Sequence, residues 1–403
     1  MPSVYMVAIG KLDSDITEDH QELVKETIDE LVNSNELPDA ATYLINPLPR
    51  TSKFYLLPKI HKVGTPGRPI VSACNCPTER IAQYLDEILR PIVESLPTYV
   101  RDSPHALRIL NELDIHDERL LLFTMDVKSL YTCIPHDEGL RALRFFLDQR
   151  SEKNPSTDAL CRLAELVLTL NCLNSTTSST CNYIGVKMGS RLGPVYACIF
   201  VGFIEQQFLA RYQGTKPILF LRYIDDILGI ANCSEEDLLQ FMNFVNTFHP
   251  ALQFTWDIST TQVTFLDISI SVKQGSLSTS IHYKPTDSHS YLTYSSSHPR
   301  SCKDSIPSSQ VLRLRRLCSD DGDFNQQTTK MIDFFTDREY PRDVTTAAVE
   351  RFQNITRDEC LRIKQPRNGS NRPVMVLTYH PNTAPLATSS SELETPSRPP
   401  FYQ

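Results

Sequence analysis

Apolar residues recur along the chain with two different periods, which predict a mixture of helices and strands. A 3.6-residue period indicates amphipathic helices, whereas short apolar runs between turn residues indicate buried strands. Helices are predicted over residues 17–33, 78–96, 137–149, 157–172 and 194–212. Strands are predicted as pairs within 53–72 and 218–230, singly over 119–126, and as a further hairpin within 252–283.

The last part of the chain has a different composition. From about residue 366 the apolar periodicity is lost, and residues 382–400 are rich in Ser, Thr and Pro. Such a segment buries too little apolar surface to offset the entropy that folding costs. Residues 366–403 are therefore predicted to be a disordered tail.

The formal net charge of −8 is concentrated in one short segment. Residues 11–39 contain ten acidic residues and two lysines, so this segment alone carries a net charge of −8. The rest of the chain is neutral overall, and residues 300–316 carry five basic residues against one acid. The distribution of charge is therefore more informative about binding partners than the total.

The sequence shows no pattern typical of a membrane span or a secretion signal. The longest uncharged apolar run, residues 192–204, has 13 residues, whereas a transmembrane helix needs about 20. The N-terminus is acidic and lacks the basic and then apolar pattern of a signal peptide. The chain is therefore predicted to be intracellular and without membrane contact.

The eleven cysteines contain no CxxC pair. Scattered cysteines in a long chain of this kind are typical of reduced residues in a core. A zinc site formed by His289, His298, Cys302 and Cys318 is an alternative, although their spacing fits no standard zinc finger.

Carboxylates stand at the ends of predicted buried strands. Asp126 follows the apolar run LLLFTM, and Asp225 and Asp226 lie between two apolar strands. A paired aspartate in a hairpin is usually a solvated turn, but adjacent charges between buried strands are costly without a counter-ion. Magnesium prefers carboxylate, phosphate and water oxygens, and nucleotide addition uses two such ions roughly 4 Å apart. A solvated turn and a magnesium site for nucleotide addition are therefore both open at this level.

Seven ordered blocks of the chain resemble a reverse transcriptase, most closely those of Penelope-like retroelements. Together they cover about residues 42–320. The blocks are FYLLPKIHK (54–62), GRPIVS (67–72), FTMDVKSLYTCIP (123–135), GVKMGSRLGPVYACIF (185–200), LRYIDDIL (221–228), FTWDIS with FLDISI (254–270) and IHYKPTDSHSYLTYSSSHP (281–299).

The resemblance assigns the catalytic centre to the aspartates. Asp126 matches the first catalytic aspartate of the family, and Asp225 and Asp226 match the pair of its YxDD turn, which Tyr223 begins. These carboxylates would hold two Mg²⁺ ions, with Mn²⁺ as an alternative. The carbonyl of Val127 would be a further metal ligand.

The resemblance also implies contacts with the incoming nucleotide. Lys59 and Arg68 match fingers positions that bind the triphosphate, and a point charge and a planar fork both suit phosphate oxygens. Tyr131 matches the bulky residue beneath the sugar that excludes a 2′-hydroxyl, although it could instead be a core tyrosine.

Three consecutive residues match the loop that packs against the templating base pair, namely Met188, Gly189 and Ser190. Glycine permits a close approach of the backbone there, and Met188 stands where many reverse transcriptases have Gln. The sequence has no lysine between residues 216 and 273, where many polymerases keep a general acid. His249 is a candidate for that role, or it belongs to a simple turn.

Residues 300–362 resemble the helical thumb of the family. Arg313, Arg315 and Arg316 are spaced to present their charges on one side of a helix. Together with Lys62 they are expected to contact the phosphate backbone of the nucleic acid. The alternative for the arginines is a solvated helix face.

The resemblance implies a right-hand polymerase of the α+β class, with fingers, a palm built on an antiparallel sheet, and a helical thumb. The predicted divisions are an acidic helical segment (1–41), a reverse transcriptase domain (42–273), a thumb-like region (274–365) and the tail (366–403).

The implied activity is that of an RNA-directed DNA polymerase of retrotransposon origin, located in the nucleus. It would use an RNA template, a DNA primer and deoxynucleoside triphosphates. The GIY-YIG endonuclease common in Penelope-like proteins is expected to be absent, since the only YIG sequence lies inside the polymerase block. A catalytically inactive RNA-binding remnant and a viral RNA-dependent RNA polymerase are the alternatives.

Overall fold

The computed structural model describes residues 11–12, 16–59, 64–113, 119–170, 172–175, 178–181 and 185–362. Lys62 and the predicted tail from residue 366 lie outside the described residues. The chain forms two compact units. Unit 1 consists of Met1–Asp102 and Asp117–Phe265, and unit 2 of Ser103–His116 and Leu266–Gln403.

The described residues form helices and strands at most of the predicted places. The helices are α1 (Thr17–Asn33), α2 (Glu79–Glu94), α3 (Ser103–Glu112), α4 (Leu130–Cys133), α5 (His136–Leu147), α6 (Thr157–Thr169), α7 (Leu192–Arg211), α8 (Glu235–Phe248), α9 (Arg300–Leu317), α10 (Asp321–Thr336), α11 (Arg342–Gln353) and α12 (Arg357–Leu361). A 3-10 helix spans Asp39–Leu44.

The strands are short, and most follow one another in hairpins. They are β1 (Lys11–Leu12), β2 (Ser52–Pro58), β3 (Gly67–Ser72), β4 (Leu121–Val127), β5 (Cys172–Ser175), β6 (Ser178–Cys181), β7 (Leu219–Tyr223), β8 (Asp226–Ala231), β9 (Phe254–Ser259), β10 (Gln262–Phe265), β11 (Ile268–Lys273) and β12 (Ser276–Ile281).

Helix α7 is the centre of the core of unit 1. From Leu192 to Ile204 it is apolar around its whole circumference, which is the pattern of a buried helix, and α2 and α5 pack against it. By length and composition it is the one described helix that could cross a membrane, but 72% of its apolar window is buried inside the protein. Its burial agrees with a core helix and favours the prediction of no membrane span.

A four-stranded antiparallel sheet lies against this helical core. Its strand order is β7-β8-β4-β9. Because side chains alternate along a strand, Phe123 and Met125 of β4 point into the core, together with Ile227 of β8. The opposite face carries Asp126, which is exposed.

A second sheet of unit 1 has the strand order β1-β6-β5-β2-β3. Strands β2 and β3 pair antiparallel from Lys53↔Ser72 to Pro58↔Gly67. This confirms the predicted pair of strands around a Gly/Pro turn. The hairpin leaves large apolar side chains of β2 exposed, among them Leu56 and Leu57.

Unit 2 combines the β11–β12 hairpin with helices α9 to α12 and the earlier helix α3. The hairpin is tied to α9, because the Thr279 hydroxyl donates to the Leu317 carbonyl oxygen at 2.8 Å. The sequence alone predicts a division between residues 273 and 274 instead. The difference arises because β11 is bonded along its length to β12, so the two strands belong to the same unit.

Helix α3 was not predicted from the sequence. It is amphipathic, but only ten residues long, and Pro104 lies at its start, so its apolar positions do not form a long stripe. It belongs to unit 2 because Arg108 donates to the Leu361 carbonyl oxygen at 3.2 Å.

Candidate active site

Asp126 is held at the end of the central strand of the four-stranded sheet. In the β4–β8 pairing it lies directly opposite Asp226, and in the β4–β9 pairing it lies opposite Thr255. Residues directly opposite in an antiparallel pair point to the same face, with Cβ atoms about 5 Å apart. Asp126 and Asp226, 100 positions apart in sequence, therefore share one face of the sheet.

Asp225 lies in the two-residue turn that joins β7 to β8. Tyr223 pairs with Asp226, so the central residues of the turn are Ile224 and Asp225. The sequence alone predicts both aspartates in the turn, whereas Asp226 is the first residue of β8. The amide of Val127 donates to the Asp225 carbonyl oxygen at 3.1 Å, which fixes the turn against the end of β4.

Ile224 has an unusual backbone conformation. Its φ is +57°, a left-handed region that is unfavourable for a β-branched residue. A positive φ at the first central residue of a two-residue hairpin is the pattern of a type II′ turn, where glycine is preferred. The surrounding contacts must therefore hold this turn in place.

The three aspartates line one open cavity of about 350 Å³. The other lining residues that carry polar side chains or rings are Thr124, Thr255, Trp256 and Asp257. Thr255 and Asp257 were not singled out from the sequence. The alternation of polar and apolar residues in FTWDIS could have indicated them. Thr255 lies opposite Asp126 in the sheet, and Asp257 lies two residues further along the same face.

Tyr131 lies close to this cavity. Burial, and to a smaller extent the Asp225 carboxylate, raises the pKa of the Tyr131 phenol to about 12, whereas Arg68 acts in the opposite direction. Interactions of this kind act at short range. Tyr131 is therefore near both Asp225 and the exposed Arg68, which β3 carries.

The loop before α7 is fixed on both sides by backbone contacts. The Val186 amide donates to the Tyr131 carbonyl oxygen at 2.6 Å, and the Val71 amide donates to the Met188 carbonyl oxygen at 2.9 Å. Gly189 has a φ of +125°, and a Cβ there would lie 2.4 Å from the Val71 carbonyl oxygen. Glycine is therefore required for the close approach of this loop to β3.

The remaining predicted nucleotide contacts lie around the β2–β3 hairpin. Lys59 follows β2, and its amide donates to the Pro66 carbonyl oxygen at 2.9 Å. Ser190 is buried, and within the described part of the chain its hydroxyl makes no hydrogen bond. Met188 is partly buried beside it. The roles of these residues in binding stay predictions.

A second cavity adjoins the same turn. It has a volume of about 460 Å³ and is lined by Tyr223 and Ile224. Three arginines also line it, namely Arg90, Arg101 and Arg191. These arginines come from the end of α2, the segment after it and the residue before α7, and none of them was predicted as a nucleic-acid contact.

The arginines predicted to contact nucleic acid from α9 are bonded within unit 2. Arg313 makes a bidentate ion pair with Asp267, at 2.9 and 2.7 Å. Arg315 donates to the Ile355 carbonyl oxygen and Arg316 to the Cys360 carbonyl oxygen, both at 2.7 Å. Their position gives them a structural role, and a contact with nucleic acid stays a prediction.

Two alternatives from the sequence find no support in the described residues. His249 does not line the cavity of the aspartates, because its Nε2 lies 3.0 Å from a Glu138 carboxylate oxygen and its Nδ1 accepts from the Ala251 amide. Across the described ranges, no group of three His, Cys, Asp or Glu side chains could hold a metal ion by itself. The zinc alternative at His289, His298, Cys302 and Cys318 therefore gains no support from the described residues.

An antiparallel sheet backed by helices, with a strand-end aspartate beside an aspartate-bearing hairpin turn, defines the palm of a right-hand polymerase. The chain belongs to the reverse transcriptase family. A profile of the family described as "Reverse transcriptase (RNA-dependent DNA polymerase)" matches residues 60–287, more than half of the chain. A second profile, "Animal helix-turn-helix domain", matches residues 290–349, which lie mostly in the region that resembles a thumb in sequence. No curated protein matches the sequence significantly.

The solved structures that match this chain include telomerases and viral polymerases. Telomerase from Candida albicans, in complex with a TWJ fragment of telomeric RNA, has a TM-score of 0.52 and 11% identity over 82% of this chain and 60% of that one. Apo telomerase from Candida tropicalis, truncated from its C-terminal domain, has a TM-score of 0.42 and 12% identity over 64% of this chain and 60% of that one. The BmCPV RNA-dependent RNA polymerase has a TM-score of 0.45 and 11% identity, over 65% of this chain and 26% of that one. The chain spans about 60% of these telomerase chains, and the first likeness confirms the right-hand fold.

Proposed function

We propose that the protein is an RNA-directed DNA polymerase that adds deoxynucleotides to a primer 3′-end. The observation that carries the proposal is the gathering of Asp126, Asp225 and Asp226 in one cavity at the end of the palm sheet. Asp225 and Asp226 lie about a hundred positions from Asp126 in sequence, so the fold brings them together. Membership of the reverse transcriptase family suggests that this cluster binds metal ions for nucleotide addition.

The donor set of the cavity fits magnesium. Carboxylate oxygens are hard ligands, and Mg²⁺ is bound through one or two carboxylates together with substrate phosphates and water rather than by a complete protein cage. This agrees with a site in which the described side chains supply part of the ligand shell. Asp126 and Asp225 would hold the ions, with Asp226 and the Val127 carbonyl as further ligands, and Mn²⁺ is an alternative. When bound, two such ions stabilise the attacking and the leaving oxygens of an in-line displacement.

The chain's own residues would position the nucleotide. Arg68 is an exposed base near Tyr131 and suits a triphosphate, since a guanidinium donates two parallel hydrogen bonds to phosphate oxygens. Lys59 and Lys62 would add charge from the same hairpin. Tyr131, a neutral phenol beside Asp225, would occupy the space that a 2′-hydroxyl needs, which selects deoxynucleotides.

The template and primer would be bound mainly through phosphate contacts. The arginines of the second cavity, Arg90, Arg101 and Arg191, adjoin the catalytic turn and are proposed to contact a nucleic-acid strand there. Met188, Gly189 and Ser190 would support the templating base pair. RNA as the template agrees with the family, and the telomerase of similar fold was solved with an RNA fragment.

The finer identity of the protein is also a proposal. The seven sequence blocks support a retrotransposon-derived enzyme of the Penelope-like type, which would act in the nucleus. An enzyme of this type is expected to prefer an RNA template over a DNA template of the same sequence. Extension of one primer on matched RNA and DNA templates measures that preference.

The activity can be tested by primer extension on poly(rA)/oligo(dT) with dTTP and Mg²⁺. Wild-type protein should extend the primer, whereas Asp126→Asn and Asp225→Asn should each lower the rate about 10³-fold or more, since one metal ligand is lost. The exposed Asp148, at the end of α5, provides a matched control, and Asp148→Asn should retain wild-type activity. An inactive wild-type protein that still binds RNA would favour the inactive remnant instead.

A further inference from the structure

Arg222 is a fully buried charge immediately before the catalytic turn. It is the largest side chain in the described core with essentially no exposed surface. Its Nε donates to Glu205 Oε1 at 2.7 Å and one terminal nitrogen donates to Glu205 Oε2 at 3.1 Å. Glu205, on α7, is also buried.

Stability alone does not account for this ion pair. Taking two charges out of water costs several kcal/mol, and well-packed apolar residues of similar volume are often equally stable or more stable. Burial is the largest single influence and lowers the pKa of Arg222, but the Glu205 carboxylate, Cys198 and the hydrogen bonds to both together raise that pKa above its ordinary value. The charge is therefore kept in the core for the hydrogen bonds that only a guanidinium can make.

Those remaining hydrogen bonds go to two backbone carbonyls, one in the turn and one in α7. One terminal nitrogen of Arg222 donates to the Ile224 carbonyl oxygen at 3.0 Å, and the other donates to the Cys198 carbonyl oxygen at 3.2 Å. Ile224 is the strained residue of the catalytic turn, and Cys198 lies in α7. The guanidinium therefore connects the turn that carries Asp225 with the helix that follows the Met188–Ser190 loop.

The position of Arg222 is itself fixed from outside the sheet. Its amide donates to the Thr98 carbonyl oxygen at 2.6 Å, and the Val100 amide donates to its carbonyl oxygen at 2.8 Å. The Thr98 hydroxyl also donates to Glu205 Oε2 at 2.6 Å. The two backbone hydrogen bonds hold Arg222 in place independently of the Thr98 hydroxyl.

We propose that Arg222, with Glu205 as its counter-ion, is a positioning residue that holds the Ile224–Asp225 turn in its strained conformation and so places the Asp225 carboxylate. The proposal rests on the polymerase function proposed above. The turn then has two anchors. The Val127 amide holds the Asp225 carbonyl on one side, and the Arg222 guanidinium holds the Ile224 carbonyl on the other.

The test replaces the pair by apolar residues, Glu205→Met with Arg222→Met, so that no buried charge is left alone. Thr98→Val is the matched control, because it removes a hydrogen bond to Glu205 but leaves the bond from Arg222 to Ile224. The double variant should fold, with kcat lowered about 10²-fold. Its KM for dTTP and its Kd for primer–template should stay within about twofold of wild type, as expected for the loss of an interaction that matters only in the transition state.

A second readout does not depend on catalysis. The Val127 amide, which donates to the turn, should exchange its hydrogen about tenfold faster in the double variant than in wild type or Thr98→Val, because the turn opens locally. Unchanged exchange in a folded double variant, or unchanged kcat, would overturn the positioning role. If wild-type protein extends no primer but the exchange increases as expected, the positioning of the turn stands and the proposed polymerase function fails.

If the double variant does not fold, Arg222→Lys tests the positioning role in its place. Lysine keeps the charge beside Glu205 but cannot reach Glu205, Ile224 and Cys198 together, because an ammonium is a point charge rather than a fork. The same faster exchange at Val127 and the same loss of kcat are expected. Wild-type values for both in the folded lysine variant would refute the proposal.

Discussion

Gly189→Ala should disconnect the loop before α7 from the neighbouring strand. The added Cβ would lie 2.4 Å from the Val71 carbonyl oxygen, whereas real Cβ atoms essentially never come closer than 3.0 Å. The loop would therefore have to move by about 0.6 Å or more. The φ of +125° adds backbone strain, which costs on the order of 1–3 kcal/mol.

The displacement should affect catalysis more than folding. It would lengthen the hydrogen bond from the Val71 amide to the Met188 carbonyl oxygen, now 2.9 Å, and shift the surface proposed to support the templating base pair. A misplacement of about 1 Å at a reacting centre can cost about 10²-fold in rate. We expect kcat/KM in single-nucleotide extension to fall roughly 10- to 10²-fold.

Gly64→Ala is the matched control for this prediction. Gly64 also has a positive φ, +77°, but a Cβ there would meet nothing within 4 Å. Both variants carry backbone strain, and only Gly189→Ala forces the loop away from β3. Wild-type kcat/KM in Gly189→Ala, or an equal loss in both variants, would refute the reasoning.

Three further changes test other parts of the structure. Tyr131→Ala should admit ribonucleotides with little loss of deoxynucleotide use, because the discrimination is steric. An unchanged ratio of the kcat/KM values for ribo- and deoxynucleotides would make Tyr131 a plain core residue. Since burial raises the pKa of Tyr131 to about 12, that ratio in the wild type should not vary between about pH 7 and pH 9. Replacing Arg90, Arg101 and Arg191 by Gln should flatten the dependence of log Kd on log salt by up to about 0.9 per lost phosphate contact, whereas an unchanged slope would place the backbone contacts elsewhere. Burial lowers the pKa of Lys187, so the folded protein binds fewer protons there than the unfolded chain, and the free energy of unfolding should rise as the pH increases toward about 10. Lys187→Met should reduce that rise. An identical pH profile in the variant would mean that Lys187 is not responsible.

The palm could be predicted from the sequence because its signals are local. The apolar runs before Asp126 and around Asp225 are too continuous for surface hairpins, and they became β4, β7 and β8. The same apolar character predicted α7, which is buried over most of its length. The family blocks then gave the aspartates their assignment, which alternation alone left open.

The parts that the sequence did not reveal depend on contacts between distant residues. Arg222 and Glu205 are 17 positions apart on different elements, and nothing in a strand or a helix indicates in advance that two charges will meet in the core. The bonding of Arg313 to Asp267 has the same origin, since the arginine was expected to present its charge outward. The division between the units depends in turn on which helices the β11–β12 hairpin packs against.

The pairing of β4 with β8 makes the proposed catalytic centre sensitive to the length of the chain. The ladder runs without interruption from Leu121↔Ala231 to Asp126↔Asp226, and each residue inserted into one strand turns the following side chains to the other face. A single-residue insertion within this ladder would separate the two carboxylates on opposite faces, whereas a two-residue insertion would restore their orientation. Among variants of this segment, viable changes in length should therefore occur in steps of two, even where the inserted residues themselves are well tolerated.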